Sequence, residues 1–159
     1  MAPGNAPEGP AGGRVVVAVA RFNEAVSRRL LDGASAMLAE HGYGHDRVDV
    51  MWVAGAFELP VALDRALASG RYDLAVALGA IVRGETPHFD VLAHETTRGL
   101  GAVALRRSIP VGFGVLTCDT LEQALARAGG SAGNKGAEAA EAAVATRRAL
   151  ERLGGDAAT

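Results

Sequence analysis

Apolar residues in this chain arrive in two rhythms. Unbroken apolar runs, rich in β-branched residues, mark strands: Arg14 to Ala20 is apolar on both faces, and Tyr72 to Gly79 and Ile109 to Leu116 are runs of the same length class. Arg47 to Val53 alternates Val48, Val50 and Trp52 against Asp49 and Met51, a fourth strand pattern. Between these runs the spacing changes to that of a helix. Val26, Leu30, Leu31, Ala34 and Leu38 share one helical face, and Asn23 stands where a cap is expected; Gly42 and Gly44 end the segment. A second helix carries Val61, Leu63 and Leu67. A third spans about Pro87 to Ala104, with Gly99 and Gly101 expected to weaken it. Asp119 or Thr120 caps a short helix through Leu121, Ala124, Leu125 and Arg127. A glycine-rich link, Ala128 to Asn134, leads to an alanine-rich helix from about Lys135 to Leu153. Alanine there suits close helix contact in an oligomer, or simply its own helix propensity. Strand and helix alternate four times, which predicts an α/β fold with a parallel sheet and helices on its faces.

Composition sets the boundaries. At 159 residues the chain is long enough for one domain with a substantial core. The expected organisation is a single domain over residues 14–154, preceded by a Pro- and Gly-rich flexible arm over 1–13 and followed by a flexible tail over 155–159. With 49% apolar and 21% charged residues, global disorder is excluded. Sixteen Lys and Arg against eighteen Asp and Glu leave a formal charge of −2, so no nucleic-acid partner held by bulk charge is expected. Cys118 is the single cysteine and cannot form an internal disulfide, and no Cys and His cluster has metal-ligand spacing. Residues Met1 to Gly13 lack the basic start and apolar core of a signal peptide, and no apolar run is long enough to span a bilayer. A reduced, cytoplasmic setting without a membrane partner is the expectation.

In an open parallel sheet, ligands bind outside the carboxyl ends of the strands, so each strand exit is a candidate site. The third exit, Ala80 to Asp90, carries the most chemistry. Gly84 allows a tight turn, Thr86 can cap the next helix, and Pro87 fits the first helical position because no amide hydrogen is needed there. Such a helix start leaves amide donors and a positive dipole end facing the loop, a seat for an anion such as phosphate. His88 follows at once, and its imidazole exchanges a proton near neutral pH. The pattern also suits an ordinary surface histidine in a helix's first turn. Phe22, at the first exit, either stacks on a flat ring or closes the core. Glu58, at the second, either accepts bonds from ligand hydroxyls or amines, or is a favourable acid in a first turn. Arg127 is either a bidentate phosphate clamp or a partner for a helix's negative end, and Lys135 is either a ligand cation or a solvated lysine.

Taken together in order and spacing, Arg21-Phe22-Asn23, Gly55-Ala56-Phe57-Glu58-Leu59-Pro60, Gly79 to Phe89, Phe113-Gly114-Val115-Leu116-Thr117, Glu122-Gln123-Ala124, Arg127-Ala128-Gly129 and Gly133-Asn134-Lys135-Gly136 resemble the lumazine synthase family over nearly the whole chain after the arm. The resemblance implies a flavodoxin-like three-layer α/β/α sandwich with a central parallel four-stranded sheet, extended by an N-terminal strand from a neighbouring subunit. It implies a transferase of riboflavin biosynthesis that condenses 5-amino-6-(D-ribitylamino)uracil with 3,4-dihydroxy-2-butanone 4-phosphate to 6,7-dimethyl-8-ribityllumazine, phosphate and water, with no metal or redox cofactor. By position, Phe22 resembles the ring-stacking aromatic, with Asn23 in the same substrate-binding fragment, and Ala56 and Glu58 meet the ribityl chain. Backbone groups near Ile81 and Val82 hold the uracil edge. Glu85 and Thr86 offer backbone and hydroxyl donors to phosphate and Arg127 its guanidinium, and His88 is the catalytic proton shuttle. Phe113, Arg127 and Lys135 are expected to reach the site from a neighbouring subunit.

The resemblance also implies a homo-oligomer of pentamers. Family members remain pentamers, pair into decamers or close sixty subunits into an icosahedral capsid. The short link between Arg127 and Lys135 favours the capsid, with riboflavin synthase as candidate cargo. Two positions depart from the family pattern. Ala54 stands where proline is common, which leaves that turn less rigid, and Cys118 stands where Thr, Asp or Ser is usual. Two rival functions share the fold: a flavin-binding module without catalysis, and a chiefly structural shell protein.

Overall fold

A computed structural model describes residues 13–157, with side chains described as far as Gly154. The expected arm therefore lies outside the described residues except for Gly13. Four parallel strands, β1 (Val15–Ala20), β2 (Val48–Val53), β3 (Leu74–Val82) and β4 (Val111–Cys118), form one sheet in the order β2-β1-β3-β4. β1 and β3 are its two inner strands. Val15, Val17 and Val19, with Leu74, Val76 and Leu78, face a core shared with helices α1 (Glu24–Glu40) and α5 (Lys135–Ala157). Val16, Ala18 and Ala20, with Ala75 and Ala77, face the other layer, made by α2 (Leu59–Ala68) and α3 (His88–Arg107). A continuous apolar run is what a strand covered on both faces requires, and every residue of β1 is buried. The architecture is the expected three-layer α/β/α sandwich.

β2 behaves differently from its sequence pattern. It is an edge strand of the protomer, so its alternation does not become a buried face and an exposed face: Val50 is 43% exposed. Trp52 is half-buried, with the guanidinium groups of Arg21 and Arg28 at 5.1 and 5.0 Å from its ring centroid.

Several boundaries move from where the periodicity sets them. β3 continues past Gly79 to Val82, because Ile81 and Val82 pair with Thr117 and Cys118 of β4. α3 runs unbroken through Gly99 and Gly101 to Arg107. Gly99 serves close packing: a methyl group there would lie 2.8 Å from Cγ of Pro60 on α2. The link after the short helix α4 (Leu121–Ala126) is a small antiparallel hairpin of β5 (Ala128–Gly130) and β6 (Gly133–Asn134). α5 extends beyond Leu153 to Ala157, so the helix takes in the first residues expected to form a tail.

Asn134 fastens this hairpin. Its amide donates to the Arg29 carbonyl on α1 at 3.0 Å, and its side-chain oxygen accepts from the Ala137 amide at 3.0 Å, capping α5. α5 then crosses α1 at Gly136, where a Cβ would run into the Leu30 backbone carbonyl. The amino-terminal edge of the sheet is closed by polar contacts: Asp49 accepts from Tyr72 at 2.7 Å and pairs with Arg14 at 2.9 Å, while Arg147 pairs with Asp73 at 2.8 Å. The Tyr72 hydroxyl first, and Arg14 after it, hold the Asp49 carboxyl below its ordinary range.

Because the α1–α5 contact has no room for a methyl group, Gly136→Ala is expected to destabilise the protein by about 1–3 kcal/mol. Urea unfolding at fixed protomer concentration measures this, and an unchanged midpoint would contradict the tight crossing.

Candidate active site

The parallel register puts every strand exit on one edge. Ala20 lies opposite Val53, and Val82 opposite Cys118. After β1 the chain turns to one helical layer through α1; after β3 it turns to the other through α3. The neighbouring β1 and β3 therefore diverge at their carboxyl ends, and this switch point opens a crevice. A cleft of about 760 Å³ lies there.

Three exits and one helix face line it. Phe22 comes from the β1 exit, and Ala54 to Glu58 from the β2 exit, where a 3-10 turn over Ala56–Glu58 leads into α2. Ala80, Ile81 and Val82 come from the end of β3, Gly84 and Thr86 from the loop that follows, and His88 from the start of α3. Phe22 is 73% exposed, so the core-closing alternative is not realised in the protomer; Phe57 is 65% exposed on the same cleft. Two exposed aromatic rings, the buried ring of Phe89, a carboxylate at Glu58 and an imidazole at His88 thus border one cavity. That combination suits a flat heterocycle with a polar substituent.

The strand exits are braced against one another. The Arg21 and Phe22 amides donate to the Val53 and Ala54 carbonyls at 2.8 and 3.1 Å. Asn23 does not cap α1 with its side chain. It adopts a left-handed conformation, φ 61°, which turns its amide across to the Ala80 carbonyl at 3.0 Å. Asn23 is thereby a strut between β1 and β3, beside the cleft and outside its lining. Ala54, at the position where the resemblance expects proline, is held in the turn by its carbonyl bond from Phe22.

Thr86 caps α3 only weakly, its hydroxyl accepting from the His88 amide at 3.4 Å, longer than the usual limit of about 3.2 Å. Glu85 belongs to the same loop, yet its side chain does not line the cleft.

Phe113, Arg127 and Lys135 line no part of this cleft within the protomer. Phe113 is 48% exposed on β4, the other edge strand. Arg127 donates to the Gln123 carbonyl at 3.0 Å, and Lys135 pairs with Glu138 at 3.0 Å. The hairpin nonetheless joins the backbones of these two residues, since the Lys135 amide donates to the Arg127 carbonyl at 2.8 Å. Cys118 is buried; burial pushes its thiol upward despite the nearby Arg127, which disfavours the thiolate a nucleophile needs. Among the described residues, no group of three or more His, Cys, Asp or Glu could hold a metal ion, and no helix is long and apolar enough to cross a membrane.

Five lining residues were given no role from the sequence: Phe57, Phe89, Val91, Leu92 and Glu95. The signal for three of them is helical spacing. Counting from His88, positions 91, 92 and 95 fall on the same face of α3.

A doubly wound parallel sheet with an aromatic and acidic cleft at its switch point defines an α/β enzyme for small molecules. The family model for 6,7-dimethyl-8-ribityllumazine synthase matches residues 12–151. A relative of that name in Gemmatimonas aurantiaca is 57% identical over 133 residues, covering 84% of this chain and 81% of its own. Relatives of the same name are 51% identical in Anaeromyxobacter dehalogenans, covering 88% of this chain and 86% of their own, and 47% identical in Desulfovibrio desulfuricans, covering 88% and 90%. The chain belongs to the 6,7-dimethyl-8-ribityllumazine synthase family, and with it to the transferases of riboflavin biosynthesis.

The Asn23 strut yields an ordered pair of effects. Asn23→Ala, which loses the bond and tolerates the left-handed backbone poorly, is expected to lower stability by about 1–3 kcal/mol. Asn23→Gly, which keeps the backbone freedom, is expected to be less severe by about 1 kcal/mol. Denaturant unfolding compares the two, and equal losses would show that the conformation of residue 23 carries no cost.

Proposed function

We propose that the cleft carries out the family's condensation with the following division of labour. The ring of 5-amino-6-(D-ribitylamino)uracil stacks on Phe22, its ribityl chain meets Ala56 and Glu58, and its edge bonds to backbone groups at Ile81 and Val82. The phosphate of 3,4-dihydroxy-2-butanone 4-phosphate accepts from backbone and hydroxyl donors at Glu85 and Thr86, with His88 beside it as proton shuttle. Asn23 supports the substrate side of the cleft through β3. Phe113, Arg127 and Lys135 complete the site of an adjacent subunit, with Arg127 directed to phosphate. The observation that carries this reading is the cleft itself, which gathers Phe22, Glu58, Thr86 and His88 on one protomer. The backbone bond from Lys135 to Arg127 at the hairpin supports a paired contribution across a subunit boundary.

The chemistry is mainly positioning. The uracil amine attacks the ketone, and water leaves as a Schiff base forms. Loss of phosphate follows and leaves a second carbonyl; the ribitylamino nitrogen attacks it, and ring closure expels a second water to produce the lumazine. Holding the two reactants together supplies most of the acceleration, and His88 moves the protons. No metal or redox cofactor enters this scheme.

A single catalytic domain over residues 14–154 works in the cytoplasm as a homo-oligomer of pentamers. The compact hairpin between Arg127 and Lys135 favours closure of the pentamers into a capsid, in which riboflavin synthase is a suitable cargo.

Purified protein mixed with both substrates is expected to form the lumazine above the uncatalysed background and to saturate with each. Failure to do so in a folded, oligomeric sample would favour a flavin-binding or purely structural role. His88→Ala is expected to lower kcat by about a hundred- to ten-thousandfold without abolishing turnover, because positioning survives; complete loss in a folded variant would overturn that division. Light scattering is expected to report a mass far above that of five 16.2 kDa subunits, and a pentamer mass would rule out the capsid.

A further inference from the structure

Arg83 has no role in the scheme above, yet it touches both borders of the loop that holds Thr86 and His88. It is the first residue after β3, and its amide donates to the Cys118 carbonyl at 2.9 Å. Its Nε pairs with Asp119 at the exit of β4 at 2.8 Å. One terminal nitrogen reaches Asp90, in the first turn of α3, at 3.5 Å. The guanidinium lies 4.3 Å from the ring centroid of Phe89, whose side chain is anchored in the core between α3 and the sheet. One planar cation thus joins a strand exit, a helix start and a buried ring.

Between Arg83 and Asp90 lie Gly84 to Pro87, all exposed, followed by His88. Little inside this loop fixes its shape, since the Thr86 hydroxyl bond to the His88 amide is long. Its two borders are what Arg83 holds. We propose that Arg83 is a positioning residue: by clamping Asp119 and Asp90 across the loop, it sets the placement of the Thr86 donors relative to the His88 imidazole. The inference rests on the reading that this loop seats the substrate phosphate. These ion pairs are half-exposed, so each adds little to overall stability, and the effect of losing them falls on loop geometry. Lysine is no equivalent, because a point charge lacks the planar fork that here meets two carboxylates and a ring.

The test is steady-state kinetics on the assembled protein, each substrate varied separately, for Arg83→Met, Arg83→Lys, Asp119→Asn, the double variant Arg83→Met with Asp119→Asn, and Thr86→Val. Arg83→Met is expected to raise KM for the butanone phosphate and lower kcat, each by about tenfold, since small misplacements are costly in a positioned reaction. KM for the uracil, the scattering mass and Tm are expected to stay unchanged. Arg83→Lys should fall between Arg83→Met and the parent, Asp119→Asn should change KM in the same direction, and the double variant should be no worse than Arg83→Met alone. Unchanged KM for the phosphate substrate in Arg83→Met would overturn the proposal, as would equal changes for both substrates or a lowered Tm. A tighter KM in Asp119→Asn would also overturn it, because it would mean that Arg83 binds phosphate itself once released. Thr86→Val separates the two levels: if it too leaves the phosphate KM unchanged, the phosphate loop is wrong, whereas a raised KM there with none in Arg83→Met leaves the loop standing and removes only the clamp.

Discussion

The parallel pairing of β1 with β3 is the constraint on which the rest of the molecule depends. It fixes Val15 against Leu74 and Val19 against Leu78, and so brings the exits of two strands to one edge while their following helices leave to opposite layers. The gap between those exits cannot be filled by either helix, and it is where the cleft lies. Burial on both faces holds this pairing. Val and Leu fill one side of the central strands and alanine much of the other, so a slip of one residue would place the wrong volumes in both layers.

From that frame the polar contacts divide by position. At the amino-terminal edge, Asp49 pairs with Arg14 and accepts from the Tyr72 hydroxyl at close range. At the carboxyl edge the aromatic rings of Phe22 and Phe57 stay exposed and the polar groups surround a space. Buried apolar surface fixes the fold, and exposed rings and amides are what a ligand can use. The hairpin after α4 belongs to the same division of labour. Asn134 pins it to α1 and caps α5, and Arg127 and Lys135 are held together at a distance in sequence that no single helix would reconcile.

Much of this was legible before any coordinates. The alternation of apolar runs and helical spacing predicted the four strands and their covering helices, and the strand exits pointed to Phe22, Glu58, Thr86 and His88, which meet at one cleft. Errors fell where a residue's local preference was overruled by a contact distant in sequence. Gly79 reads as a strand end, but β4 supplies partners for Ile81 and Val82 beyond it. Gly99 reads as a weak point, but Pro60 packs against it. Asn23 reads as a cap, but its amide finds Ala80. Glu95 and Leu92 were visible only as helical neighbours of His88, and nothing in their types announced a cleft.

The sequence alone determined the class of fold, the placement of chemistry at strand exits and the family, because hydrophobic period and motif order are local properties that survive without a partner. Only the tertiary structure decided which exits share a cavity, that Asn23 and Arg83 brace its borders, and that Arg127 and Lys135 stand together away from it. Those outcomes depend on strand order and on contacts between residues far apart in the chain, where a backbone carbonyl or a carboxylate becomes a partner only after the sheet has formed.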